Sequence, residues 1–574
     1  MLKLLVYLKK HIPLILVSVV LIYIQVMTNL NLPRLMSDII NKGVLTNDIP
    51  LIWKTGGIML LYTVISSAAV ILAGFFISRI AASVAVDLRE ALFRRLTYAS
   101  IEQMGNFGTA TLVTRTTNDI NQVQQLITMS RMLLMAPLMG IGGIIMAIDQ
   151  APSLSWVILV IMGLLFLIMG VTMAFALPQF KVLQKKLDQL NLVLREYLTG
   201  LRVIKAFNKS TIERERFREA NGSLTATTLR VTRIMVFLIP SMMFIMNASA
   251  LLILWVGGHQ IQSSGVEIGS IMAFMQYVMQ ILMSFLMLAM VFTMIPRAQV
   301  SAKRINEVLD SKNTVTNLPG TLPAPTDTIS VEFREASFRY AGAETPVLKD
   351  ISFKAESGKI TAIIGGTGSG KSTLIDLIPR FYDLDEGELL IDGMDIKRYA
   401  LKELRQKIAL VPQKPVIFSG TMADNIRYGK GDATDEEVVR AARIAQAEEF
   451  ILGMENGFDG AVAQGGTNIS GGQKQRLSIA RAIARDPEIF IFDDSFSALD
   501  YTTDAKLRKA LRENLKNKLI FIVAQRVSTI MDADQIIVLD KGRIVGIGTH
   551  KNLFENNPIY REIVLSQMEE GEAA

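Results

Sequence analysis

Ile363-Ile364-Gly365-Gly366-Thr367-Gly368-Ser369-Gly370-Lys371-Ser372-Thr373 is the stretch that decides how this chain is read. It follows the apolar run Ile360–Ile364 and precedes the apolar-periodic Leu374-Ile375-Asp376-Leu377-Ile378. A strand, a glycine loop and a helix are therefore expected in succession. The glycines let consecutive backbone N–H groups curl into a concave anion nest. A helix opening near Gly370 adds the positive end of its dipole at the same spot. In this pattern Gly365 to Gly370 and Thr373 cradle phosphates, Lys371 reaches the outer ones, and the Ser372 hydroxyl holds Mg²⁺. A lone G-x-G reads equally well as an ordinary turn; the full pattern between strand and helix does not.

Composition bounds the rest. The chain has 574 residues, half of them hydrophobic, with a mean hydropathy of +0.35. That is too apolar for a soluble enzyme of this size, and long enough for several domains. The net charge of +7 is read as the Lys and Arg excess of cytoplasmic loops rather than as nucleic-acid binding. There is no cysteine, which excludes disulfide, zinc-cluster and thiol chemistry and fits a reducing compartment. The basic start Met1–His11 leads into an apolar run too long for a signal peptide, so a retained first span is expected.

Long uncharged runs fill the first half: 12–33, 55–78, 132–148, 151–180, 234–258 and 268–296. About 20 apolar helical residues cross a bilayer core, so six spans are expected, the third the shortest. Lys3, Lys9 and Lys10 precede the first span. Arg79 to Arg115, Lys181 to Arg233, and Arg297 with Lys303 and Arg304 follow the second, fourth and sixth. Both termini are therefore expected on the cytoplasmic side of the plasma membrane. The two long charged loops, 79–131 and 181–233, keep helical periodicity and read as helices running on beyond the lipid.

Residues 309–328 are rich in Pro, Asn and Thr and read as a linker. It separates a membrane domain, 1–308, from a soluble domain, 329–574. There, strands at 330–333, 360–364, 408–411, 489–492 and 519–523 alternate with helical segments, which gives an α/β nucleotide-binding domain with a largely parallel sheet. The fourth strand delivers Asp493, a carboxylate placed to hold Mg²⁺ beside the phosphate loop. Ser470-Gly471-Gly472-Gln473 opens a helix expected over 473–483. Local physics leaves two readings open: an anion-ready helix N-terminus, or an ordinary serine cap.

With these motifs in this order behind six spans, the chain resembles a half-transporter of the ATP-binding cassette (ABC) exporter family over essentially its whole length. The fold implied is a six-helix membrane bundle with long cytoplasmic extensions, fused to an α/β P-loop domain. The resemblance implies ATP and Mg²⁺, with Tyr340 stacking on adenine and Gln413 sensing Mg²⁺. Ser470, Gly471, Gly472 and Gln473 would contact the partner's ATP, and Ser497-Ala498-Leu499-Asp500 would cross to the partner domain. It also implies coupling segments at 108–119 and 201–207. One P-loop and one signature cannot complete a site within a single chain, so a second half-transporter is implied.

Three positions depart from the family pattern. Asp494 stands where a glutamate normally polarises the attacking water, one methylene and about 1.5 Å short. Gln525 stands where a histidine normally meets the γ-phosphate, and an amide cannot carry imidazolium charge. Gln464 replaces a glutamate ahead of the signature. These residues predict a site that holds ATP and cleaves it slowly, and a partner of different sequence with a complete catalytic set. This pattern resembles bacterial heterodimeric exporters; a homodimer with two slow sites is the alternative.

In the sixth span Met272, Met275, Met279, Met283, Met287, Met290 and Met294 recur every three or four residues, on one helix face. They fit an adaptable wall of a drug-accepting cavity, or a packing or lipid-facing stripe. Gln276 and Gln280 offer polar contacts there, or bonds to neighbouring helices. No acidic residue sits mid-span, so the expected cargo is apolar or amphiphilic, and the expected function is multidrug export. The alternatives are a lipid or lipid-linked-precursor flippase and a nucleotide-gated regulatory or channel subunit.

Overall fold

The computed structural model describes residues 2–264, 266–311, 313–315 and 329–567, without the side chains of 2, 262–264 and 293. Most of the linker expected at 309–328 lies outside these residues. The described chain forms two compact units. One comprises Met1–Arg95 with Ala110–Asp310, the other Leu96–Thr109 with Ser311–Ala574.

The first unit is helical: α1 (Ile12–Asp38), α2 (Ile49–Thr97), α4 (Thr109–Thr114), α5 (Ile120–Gln150), α6 (Ser155–Thr199), α7 (Leu201–Ala206), α8 (Ser210–Val236), α9 (Leu238–Ser264) and α10 (Ile268–Leu309). The six expected spans all fall on helical stretches long and apolar enough to cross a membrane. Most run well past their uncharged cores, as the periodicity of the charged loops required. The third and shortest run lies within a longer helix. That helix begins at Ile120 and runs 31 residues, because the polar residues ahead of Met132 are helix-compatible and include no Gly or Pro. The apolar core of this unit gathers Ile22, Val26 and Leu30 of α1, Met139 of α5, Leu165 of α6 and Phe274, Tyr277, Val278 and Leu282 of α10.

The stretch 108–119, expected to be the first coupling segment, is not a separate helix. Thr109–Thr114 and a π-turn at Arg115–Asp119 run on into α5. The short separate helix is α3 (Ile101–Phe107), seven residues upstream. Ser100 caps it, and the Gln103 side chain bonds back to the Ser100 N–H. Within the second unit Asn313 Nδ2 donates to Tyr98 O at 2.9 Å, and Thr314 Oγ1 to Ser100 Oγ at 2.9 Å. The second segment, 201–207, does contain a short helix, α7.

In the second unit the strands are β1 (Ser330–Phe338), β2 (Leu348–Glu356), β3 (Ile360–Gly365), β4 (Glu386–Ile391), β5 (Met394–Asp395), β6 (Ile408–Val411), β7 (Gly420–Thr421), β8 (Ala461–Val462), β9 (Ile489–Asp493), β10 (Leu519–Val523), β11 (Gln535–Asp540) and β12 (Arg543–Gly548). Six form a sheet in the order β12-β11-β3-β10-β9-β6. It is parallel except for β12. A second, antiparallel sheet has the order β2-β1-β4-β5. All five residues of β10 are buried, as expected of a strand covered on both faces. Phe490, Phe492, Ile520 and Ile522 pack into one core, and Ile491, Phe521, Ile363 and Leu374 into another.

The functional consequence lies in the register. Ile363 and Asp493 both pair with Val523, so β3, β10 and β9 end level, and β6 ends beside β9 at Val411↔Phe492. The segments leaving all four strands share the carboxyl edge of a parallel sheet, the usual place for a ligand in such folds.

Candidate functional site

A cleft of about 320 Å³ opens at that edge. Among its lining residues are Thr367, Gly368, Gly370, Lys371, Ser372, Thr373, Gln413, Asp493, Asp494 and Gln525. The structure thus brings most of the expected phosphate, metal and catalytic residues into one place. Val347 and Val523, which the sequence did not single out, line it as well.

The loop geometry explains its glycines. Gly368 and Gly370 have φ of 81° and 99°, where a side chain is strained. A Cβ on Gly370 would also lie 2.7 Å from Leu348 Cδ2. A Cβ on Gly365 would meet the Leu539 carbonyl of the adjoining strand at 2.1 Å. At Gly366 and Gly368 nothing stands within 4 Å of such a Cβ, so the loop backbone faces open space. The Lys371 ammonium donates to the carbonyls of Gly365 at 2.8 Å and Gly366 at 2.7 Å. Burial lowers its pKa from the ordinary value, against the pull of Asp494 and Asp493. Lys371 heads helix α11 (Lys371–Leu377), and Gly370 is its N-cap.

The carboxylates divide the work. Ser372 Oγ donates to Asp493 Oδ1 at 3.2 Å. Burial, and the neighbouring Asp494, raise the Asp493 pKa, which the Ser372 bond partly offsets. Asp494 is buried and holds a left-handed φ of 44°, which Asp tolerates better than most residues. Its N–H donates to Val523 O at 2.9 Å. One oxygen, Asp494 Oδ2, accepts from Gln413 Nε2 at 3.1 Å and from Gln525 Nε2 at 2.9 Å. Gln413, expected at the metal, thus points its amide at Asp494. The chain then anchors Gln525: Gln567 Nε2 donates to Gln525 O at 2.8 Å, and the Val527 N–H donates to Gln567 Oε1 at 2.9 Å. No local pattern around Gln567 signals this, because it depends on where the last helix docks. Asp376 of α11 is a further unforeseen carboxyl; burial and Asp493 push its pKa up to about 6.

The residues present fit a magnesium–nucleotide. Ser369 Oγ is buried without a partner, the loop amides face free space, and hydroxyl plus carboxylate is an all-oxygen donor set of the kind Mg²⁺ takes. Lys371, Gly366, Gly368 and Ser369 would hold the phosphates; Ser372 and Asp493 would hold the metal. Bound Mg²⁺ would neutralise charge developing on the phosphates.

Tyr340 lies apart from the cleft lining. Its hydroxyl is 3.0 Å from Thr373 Oγ1, and its ring meets Phe338 and Tyr382 edge-on, at 5.0 and 5.4 Å between centroids. The signature is also elsewhere: no signature residue lines the cleft. Ser470 caps the helix Gly471–Arg485 in a full capping box, accepting from Gln473 N while Gln473 Oε1 accepts from Ser470 N at 2.8 Å. Ser470 and Gly471 are exposed, so this 15-residue helix presents its N-terminus to solvent. Gln464 is likewise exposed, in a short turn ahead of it.

Two family profiles match the chain: the ABC transporter transmembrane region over residues 15–285, and the ABC transporter domain over 348–497. An uncharacterized ABC transporter ATP-binding protein of Mycobacterium tuberculosis is 42% identical over 95% of this chain and 94% of its own length. An ATP-dependent lipid A-core flippase of Desulfotalea psychrophila is 33% identical, covering 83% and 82%. A putative multidrug export ATP-binding/permease protein of Bacillus subtilis is 31% identical, covering 86% and 85%. A bacterial Atm1-family ABC exporter with ATP bound shares the fold, with a TM-score of 0.76 at 24% identity over 98% of this chain and all of that one. The chain is a multi-pass membrane protein and an ATP-hydrolysing transporter: it belongs to the ABC transporter family and carries the family's membrane region and ATP-binding domain in one polypeptide.

Proposed function

We propose that this chain is one half of an exporter that moves apolar or amphiphilic compounds, of the multidrug type, out across the cytoplasmic membrane. Domains of 1–308 and 329–574 with a linker between them, and both termini in the cytoplasm, belong to this reading. ATP lies between this P-loop, with Mg²⁺ on Ser372, Asp493 and Gln413 and adenine on Tyr340, and the signature of a second half-transporter. Ser470 to Gln473 serve the partner's ATP in return. The partner is a non-identical chain, and the site held here turns over slowly.

The observation that carries the slow-site reading is the shared oxygen of Asp494. A carboxylate shortened by one methylene, with two amides on the same oxygen, is tied to the protein and poorly placed to orient a water. A displacement of about 1 Å in such a group costs a factor of about 100. The test is to co-purify the complex and neutralise the catalytic carboxylate of each chain in turn. Asp494→Asn should change turnover little, while the equivalent change in the partner should abolish it. Brisk ATP hydrolysis by this chain purified alone would overturn the reading.

Lipid flipping is the second reading, favoured by the relative named as a lipid A-core flippase. Stimulation of ATP hydrolysis by lipids but not by drugs would select it.

A further inference from the structure

Arg131 of α5 is a half-buried cation bonded to a residue inside the first apolar run. It stands one residue ahead of the third uncharged run. Its guanidinium Nη2 donates to Gln25 Oε1 at 3.3 Å, and Gln25 lies near the middle of the first run. Its Nη1 faces α2, where a Cβ on Gly74 would come within 3.7 Å of it. Gln25 is 3% exposed and donates its own amide to Met135 Sδ at 3.4 Å. Arg131 is therefore held among α1, α2 and α5 by one weak bond to a neutral amide. Among the described residues no carboxylate forms an ion pair with it, whereas Lys10, Lys42 and Arg115 each have one.

A cation held against the middle of an apolar run is costly, and such residues mark substrate paths or ligand counter-charges more than packing. Guanidinium has five donors in a planar fork that fits a carboxylate or phosphate. Here one of them is directed at Gln25. Met132, Leu133 and Leu134 beside it are 37–40% exposed, so apolar surface adjoins the cation. Gly74 leaves the space that a side chain would fill.

We infer that Arg131, with Gln25 as its holder, is a binding site for the anionic head of an amphiphile: a carboxylate or phosphate whose apolar tail lies along α5. This rests on the exporter reading above and narrows its cargo from amphiphiles at large to anionic ones. Two sources share that chemistry, a transported compound and a resident membrane phospholipid.

The test uses the full transporter complex in vesicles of a neutral phosphatidylcholine. ATP hydrolysis is measured while dodecyl phosphate, a neutral dodecyl maltoside or dodecyl trimethylammonium is added at matched concentrations. Dodecyl phosphate is expected to stimulate at the lowest concentration. Arg131→Gln should raise its half-stimulating concentration about tenfold, the loss of one charge-assisted bond, and leave the neutral compound unchanged. Arg131→Lys, which keeps the charge, should restore most of the preference and serves as the folding control. A second arm adds anionic phosphatidylglycerol to the vesicles. Phosphatidylglycerol competing with dodecyl phosphate only in the Arg131-containing protein supports a resident lipid; no competition supports a cargo. Equal stimulation by the three amphiphiles, or an Arg131→Gln effect shared by the neutral one, overturns the inference and leaves the exporter reading standing. No stimulation by any amphiphile overturns the exporter reading and the inference with it.

Discussion

Gln525 Nε2 donates to Asp494 Oδ2 at 2.9 Å, and Gln413 Nε2 donates to the same oxygen at 3.1 Å. The three residues leave β10, β9 and β6, whose ends the register holds level. The short carboxylate and the two amides thus form one closed set at the mouth of the nucleotide cleft.

If that set is what slows the site, lengthening the acid and restoring the ring should speed it. The double variant Asp494→Glu with Gln525→His is expected to raise phosphate release at this site about 10- to 100-fold. Single-turnover assays with the partner's carboxylate neutralised isolate the effect. No gain in the double variant would place the cause elsewhere.

Ser470 separates a helix cap from a contact to nucleotide. Aspartate caps a helix about as well as serine, so Ser470→Asp should leave the melting temperature almost unchanged. A negative charge at that exposed N-terminus would repel a phosphate, so the partner's ATP turnover should fall by more than tenfold. Ser470→Ala should instead cost about 1 kcal/mol of stability. If Ser470→Asp hydrolyses ATP at the normal rate, Ser470 is a cap and nothing more.

Gly370→Ala should fail for two reasons. Its φ of 99° strains any side chain, and the Cβ would meet Leu348 Cδ2 at 2.7 Å. A cost of about 1–3 kcal/mol is expected from the backbone, together with loss of nucleotide binding as the loop shifts. Equilibrium binding of a fluorescent ATP analogue and a thermal melt check both.

Asp376 makes stability depend on pH. Its folded pKa, about 6, lies above the ordinary 3.8, so between these values the folded chain binds more protons than the unfolded one. Stability from this group is full below about pH 4 and is lost as pH rises through 6. Thermal melts in EDTA without nucleotide should show Asp376→Asn flatter than the parent over this window. Parallel curves would contradict the assignment.

Much of this molecule was legible in the sequence because its signals are local. Uncharged runs declare membrane helices, since a bilayer tolerates little else. Continuous apolar runs at 360–364, 408–411, 489–492 and 519–523 declared the parallel strands, and all four lie where read. The strands β2, β4, β11 and β12 were not named. Leu348–Glu356 alternates buried and exposed residues, and Arg543–Gly548 carries two glycines, so neither stands out as an apolar run among loops. The phosphate loop was visible because its spacing is itself the chemistry.

What the chain order alone determined is the inventory: six spans, a phosphate cradle, a capping serine, a shortened acid. Only the tertiary structure decided who meets whom. Asp494 and Gln413 are 81 residues apart, Asp494 and Gln525 31, and Gln25 and Arg131 106. Such pairings are set by strand register and helix packing, and neither has a local signature. The same holds for α3. Its capping box at Ser100 and Gln103 was there to be read, but the bonds from Asn313 to Tyr98 and from Thr314 to Ser100, made from far along the chain, were not.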